Sequence, residues 1–82
     1  MKITTYYRRN LKMSEGKLAA QVAHCVANIA LAQNEVPEIV VVLKASDKKF
    51  EELKEKAEYV QVDLGFTELD PNTETVLGIM VR

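Results

Sequence analysis

Four side chains with hydrogen-bonding or charged heads, Lys17, Gln21, His24 and Asn28, recur at i, i+4, i+7 and i+11. On an α-helix this spacing gathers them within roughly 60° of one another. An ordinary solvated helix face carries Glu and Lys, whereas this stripe offers hydrogen-bonding groups with little net charge. Lys17 falls in the first turn, where the helix macrodipole is positive and acids are usual. With the backbone N–H groups of that turn, Gly16 included, it makes a place suited to an anion: a phosphate, or the oxyanion of an ester under attack. Taken alone, Lys17 also reads as a solvent-exposed lysine, and His24 as a structural histidine. A second group is Asp63-Leu64-Gly65-Phe66-Thr67. Asp63 could hold or activate a water, and Thr67 could return to the same spot after a turn at Gly65. Asp63 reads equally as a loop cap. Cys25 is expected to be a small buried hydrophobe, and one His with one Cys gives no metal-ligand spacing.

The elements that must position these groups follow from pattern. Ile3–Tyr7 is β-branched and aromatic and reads as a strand. Ser14 is a suitable N-cap for an Ala-rich helix from Glu15 to about Gln33, whose apolar stripe is Leu18, Val22, Val26 and Ile29. Asn34–Glu38, with Pro37, is a short connector. Ile39–Leu43 is a continuous apolar run, the pattern of a strand covered on both faces. Ser46-Asp47 caps a second helix with apolar positions Phe50, Leu53 and Ala57. Tyr59–Asp63 alternates and reads as a third strand. Leu64–Thr75 is expected as a loop, with Asp70-Pro71-Asn72-Thr73 a β-turn in which Asn takes the third position. Val76–Val81 is the last strand. The order β-α-β-α-β-β predicts a single α/β domain over residues 1–82, a sandwich with two helices on a mixed four-stranded sheet.

Composition narrows the class. The 82 residues are 48% hydrophobic and 28% charged, without repeats or low-complexity segments. No apolar h-region opens the chain, and Leu18–Ala32 is broken by Gln21, His24 and Asn28, so no membrane span is expected. A single cysteine suits a reducing compartment, and the cytoplasm is the expected location. The net charge is −1, yet it is unevenly spread. Residues 1–24 hold five bases against Glu15 alone, a net +4, while the remainder holds eleven acids and six bases, a net −5. That asymmetry can present a basic face on an acidic body.

The two groups together resemble the type-II peptidyl-tRNA hydrolase family. Arg8-Arg9-Asn10-Leu11-Lys12-Met13-Ser14-Glu15-Gly16-Lys17-Leu18-Ala19-Ala20-Gln21-Val22-Ala23-His24 is similar to its R-x-D-L-x-M-x-x-G-K-x-A-A-Q-x-x-H pattern. Asp63–Pro71 resembles its D-A-G-x-T-x-x-x-P loop, and Thr75-Val76-Leu77-Gly78-Ile79 its last-strand T-V-L-G-I. The resemblance implies hydrolysis of the ester joining a peptide to the terminal ribose of tRNA, without metal or cofactor. It implies Lys17, Asp63 and Thr67 as the catalytic group with Gln21 beside them, and Arg8, Lys12 and His24 as supporting or RNA-contacting residues. Asn10 stands where the pattern has Asp, and Leu64 where it has Ala. The connector before Ile39 is shorter than the family's, and the family's segment after the last strand has no counterpart. Apolar surface around Val76–Val81 would then need cover, which a homodimer would supply. The alternative is a non-catalytic tRNA- or protein-binding module that retains the fold.

Overall fold

The structure, a computed structural model, describes residues 1–65 and 69–82. Its elements run β1 (Lys2–Arg8), α1 (Glu15–Gln33), β2 (Ile39–Ala45), α2 (Asp47–Lys54), β3 (Tyr59–Asp63) and β4 (Thr73–Val81). The strands form one mixed sheet in the order β2-β1-β4-β3. β1 and β2 are parallel, and β4 runs antiparallel to both β1 and β3. The expected α/β architecture, four strands and two helices in the predicted order, is therefore the one found.

Adjacent strand residues point to opposite faces, and the core divides accordingly. On one face Ile3 and Val76 pack with Cys25 and Ile29 of α1. On the other, Leu77 and Ala45 pack with Phe50 of α2. Ile3, Cys25, Phe50, Val76 and Leu77 have no exposed surface. Gly78 lets α1 approach β4 closely, since a Cβ there would lie 2.5 Å from Ile29 Cδ1 and 3.1 Å from Cys25 Sγ. Burial also pushes the Cys25 thiol up to about 11, in keeping with a packing role.

Both helices start on serine caps. Ser14 accepts from the Lys17 N–H at 3.1 Å, and Ser46 from the Lys49 N–H at 3.2 Å. α1 ends at Asn34, whose left-handed φ of 52° lets its own N–H donate to the Leu31 carbonyl and the Glu35 N–H to the Ala30 carbonyl.

Three expectations are corrected. α2 ends at Lys54, so Ala57 packs beneath Leu77 and Phe50 from outside the helix. β4 begins at Thr73 rather than Val76, because the β-turn closes sooner. Asn72 takes φ 66° after Pro71, its N–H donates to the Asp63 carbonyl at 2.7 Å, and the strand starts at the next residue. Finally, β2 lies at the sheet edge and is not covered on both faces: Ile39, Val40, Val42 and Leu43 are 54, 43, 45 and 44% exposed. The expected bare patch at Val76–Val81 is largely closed, with Val76 and Leu77 fully buried and Val81 exposed at the strand end.

Candidate active site

The first turns of α1 and the end of β3 meet on the α1 face of the sheet. There Lys17, Ala20, Gln21 and His24 line a cleft of about 260 Å³ with Gln61, Val62, Asp63 and Leu64. The helical stripe thus supplies one wall and the strand end the other. Asn28 is not part of it: its amide donates back to the His24 carbonyl at 2.8 Å. His24 stands exposed at the cleft's edge.

Asp63 is the hub. Its side chain is 4% exposed, and Oδ1 pairs with the Lys17 ammonium, itself only 12% exposed. The same oxygen accepts from Gln21 Nε2 at 3.2 Å, and Oδ2 accepts from the Gly65 N–H at 2.8 Å. The hydrogen bond from Lys17 holds the Asp63 carboxyl below the usual carboxylate value, against the opposing effect of burial, with help from the Gly65 N–H and Gln21. Asp63 therefore caps the loop, as one of the two sequence readings has it, and its carboxylate is buried at the same time. Gly65 is required for this grip. Its φ is +82°, and a Cβ there would meet Pro71 Cγ at 2.6 Å.

One contributor escaped the sequence reading, which left Thr75 at the end of a loop. β4 carries a bulge opposite β3: Gln61 pairs with Val76 and Val62 with Glu74, leaving Thr75 without a partner residue. A bulge lets neighbouring side chains share a face, and here both Thr75 and Val76 turn toward α1. The fully buried Thr75 hydroxyl donates to Gln21 Oε1 at 2.6 Å and lies 3.3 Å from the Gln61 carbonyl. Gln21 is consequently held at both ends, its Oε1 by Thr75 and its Nε2 by Asp63. The chain Thr75–Gln21–Asp63–Lys17 is a single polar network inside an apolar face. Beside it, Gln61 Oε1 is a buried polar atom without a partner among the described residues. Among the described residues no group of His, Cys, Asp and Glu could hold a metal ion.

The remaining predicted residues fall elsewhere. Arg8 is on the α2 face, where its guanidinium lies 4.1 Å above the Phe50 ring and pairs with Asp47 at 3.0 Å and Glu51 at 2.8 Å. Its Nε also donates to the Glu74 carbonyl at 3.0 Å. The structure does not bring Arg8 to the Lys17–Asp63 cleft, because the acids of α2 engage it across the sheet. Asn10 donates to Asp47 Oδ2 at 3.2 Å, so an aspartate in its place would set two carboxylates against each other. Lys12 is exposed between β1 and α1. Leu64 is 67% exposed at the cleft's rim and does not fill it. Thr67 lies outside the described residues.

A buried Lys–Asp pair at a helix N-terminus, steadied by an amide and opening into a cleft, is equipped to hold a water and to stabilise an oxyanion. Comparison with known proteins gives the chain's relatives. The chain is 42% identical to a peptidyl-tRNA hydrolase of Methanopyrus kandleri, across 88% of this chain and 77% of that protein. It is 37% identical to one of Thermococcus onnurineus, across 88% and 76%. It is 31% identical to one of Saccharolobus islandicus, across 96% and 84%. The profile of the family described as peptidyl-tRNA hydrolase PTH2 matches residues 1–81, end to end across every element that builds the cleft, and the chain belongs to that family.

Proposed function

We infer that this protein hydrolyses the ester between peptide and tRNA in peptidyl-tRNA, releasing free tRNA, and that the Lys17–Asp63 pair carries the reaction. The observation behind this reading is the pair itself, buried at the cleft and fixed by Gln21 and Gly65. Family membership supplies the substrate class. In the mechanism, a water held by Asp63 attacks the ester carbonyl. A carboxylate kept below its ordinary pKa is a weak base near neutrality, so Asp63 chiefly orients the water and the Lys17 ammonium. The ammonium carries three N–H donors, which lets Lys17 hold Asp63 and meet the developing oxyanion together. The α1 N-terminus adds its positive dipole. The ribose oxygen leaves with a proton drawn from solvent or the attacking water. Thr67 is assigned here on the family pattern alone.

Substrate holding falls to Lys12 for backbone phosphate and to Gln21 and His24 along the cleft, while Arg8 fastens β1 to α2. The same reading carries a cytoplasmic location, where such a substrate arises, and no described helix is long and apolar enough to cross a membrane. It also carries a homodimer, supported by the exposed apolar residues of β2. The test is release of tRNA from an N-blocked aminoacyl-tRNA by the wild-type chain. Turnover above the uncatalysed rate is expected. Salt-sensitive binding without release would refute the enzyme reading and leave a binding module.

A further inference from the structure

β4 departs from its ladder with β3 by one residue, and that slip decides which face of the sheet Thr75 occupies. With the bulge, Thr75 and Val76 both turn toward α1, while Glu74 and Leu77 turn toward α2. Without it, strict alternation from Val76 would carry the Thr75 hydroxyl to the α2 side, away from Gln21. The polar network at the cleft therefore depends on a backbone irregularity that disrupts the ladder locally. Something must hold it in place.

The holding groups lie on the opposite face. The β1–β4 ladder ends at Tyr7 and Val76, and the Arg8 side chain takes over beyond it. Arg8 Nε donates to the Glu74 carbonyl at 3.0 Å, and Nη2 lies 3.5 Å from Glu74 Oε1. Lys54 of α2 donates to the same Oε1 at 2.8 Å. The guanidinium is itself fixed: the Phe50 ring lies 4.1 Å beneath it, and Asp47 and Glu51 hold its two outer nitrogens. The Arg8 side chain is only 15% exposed, so salt screens these contacts less than it would on the open surface. Glu74 is thus gripped by backbone and by side chain, one residue before Thr75.

We propose that Arg8 and Lys54, by gripping Glu74 from the α2 face, are positioning residues for the reaction: they fix the bulge that aims Thr75 at Gln21, and so set the Lys17–Asp63 pair through the sheet. This role presupposes that the pair carries the reaction, as read above. The contacts run from Arg8 and Lys54 to Glu74, along the backbone to Thr75, and on to Gln21 and Asp63. Arg8 suits the task because one planar fork meets a carbonyl and three carboxylates at fixed angles. Arg8, Lys54 and Glu74 do not line the cleft, so the geometry of the reacting groups is at stake and substrate contacts are not.

The experiment compares single-turnover release of tRNA from N-blocked aminoacyl-tRNA by the wild type, Arg8→Lys, Lys54→Met and Asp47→Ala, well below their melting temperatures and with circular dichroism confirming the fold. Arg8→Lys should cut the rate about tenfold and Lys54→Met about threefold, with half-saturation and the salt slope of tRNA binding unchanged. Lys54 is partly exposed, so its variant carries the test should Arg8→Lys fail to fold. Asp47→Ala loosens Arg8 without touching Glu74 and should lower Tm while keeping the rate. Adding Arg8→Lys to Thr75→Val should cost nothing beyond Thr75→Val, because the brace acts through that hydroxyl. The Gln21 side-chain amide resonance, read by NMR, is independent of turnover, and Arg8→Lys should move it in the same direction as Thr75→Val. A wild type without turnover refutes the hydrolase reading, whereas a Gln21 resonance that follows Arg8 still upholds the brace. A resonance and a rate indifferent to both Arg8→Lys and Lys54→Met overturn the brace and leave the hydrolase reading standing. Losses that multiply in the Arg8→Lys, Thr75→Val pair, or an Asp47→Ala variant as slow as Arg8→Lys, overturn it as well.

Discussion

Thr75→Val removes one hydroxyl and leaves a side chain of nearly the same shape. No cavity forms, so the change isolates the hydrogen bond to Gln21 Oε1 at 2.6 Å. Gln21 is 5% exposed, and water cannot replace the lost donor. A buried acceptor left unpaired costs about 1–3 kcal/mol, and a middle value of about 2 kcal/mol corresponds to roughly 8–16 °C in Tm for a domain of this size. The catalytic consequence is separate. Once Thr75 no longer fixes Oε1, the Gln21 amide is free to flip, and its Nε2 is no longer committed to Asp63. We expect kcat to fall about tenfold with KM little changed, because positioning of the reacting groups is lost while substrate contacts remain. Thr75→Ser keeps the hydroxyl and should recover most of kcat. The assay is single-turnover hydrolysis of N-blocked aminoacyl-tRNA beside thermal melts of the three proteins. If Thr75→Val matches the wild type in both Tm and kcat, the network does not hold Gln21. If Thr75→Ser is as slow as Thr75→Val, restoring the hydroxyl does not restore the rate, and the hydrogen bond to Gln21 is not what sets it.

Three further outcomes follow from the same geometry. Asp63 has a folded pKa below its ordinary 3.8, so the stability it contributes is present above that value and is lost as pH falls toward the folded pKa. The stability gap between the wild type and Lys17→Ala should therefore be full at neutral pH and narrow below about pH 4 in acid-denaturation curves; a gap unchanged down to pH 2 would contradict the pairing. Gly65→Ala forces a Cβ toward Pro71 at φ +82° and should destabilise the protein by more than about 1 kcal/mol, with turnover largely lost, as read by melts and the hydrolysis assay. Arg8→Ala should lower Tm yet leave the salt dependence of tRNA binding unchanged, since its guanidinium is engaged by Asp47 and Glu51. Lys12→Ala should instead flatten the log–log salt slope by about one.

Much of this molecule is legible without coordinates, because local signals and long-range packing agree. Ser14 and Ser46 announce the helices, and of the apolar stripe of α1 Ile29 is buried, with Cys25 beside it, against Gly78 of β4, while Leu18, Val22 and Val26 are only partly buried. Lys17, Gln21 and His24 do share a wall of the cleft, and Asp63 does stand at the strand end facing them. What the sequence conceals depends on register and on distant partners. The bulge at Thr75 leaves no mark in the alternation of β4, since it arises from a one-residue slip against β3. The resemblance implies Arg8 as a supporting or RNA-contacting residue, and its pairing with carboxylates 39 and 43 residues away could not be read from the sequence. An apolar run such as Ile39–Leu43 reports that a strand is to be covered, but not whether its own chain provides the cover. Asn10, a departure from the family pattern, makes sense only beside Asp47.

The central claim is that Lys17 and Asp63 act as one catalytic unit. A double-mutant cycle on single-turnover hydrolysis tests it most directly, using wild type, Lys17→Ala, Asp63→Asn and the double variant, all verified as folded. Each single variant should lose about 10²–10³ in rate, the scale of removing an oxyanion donor, and the double variant should lose scarcely more than either. Losses that multiply in the double variant, or a single variant that keeps wild-type turnover, would contradict the account.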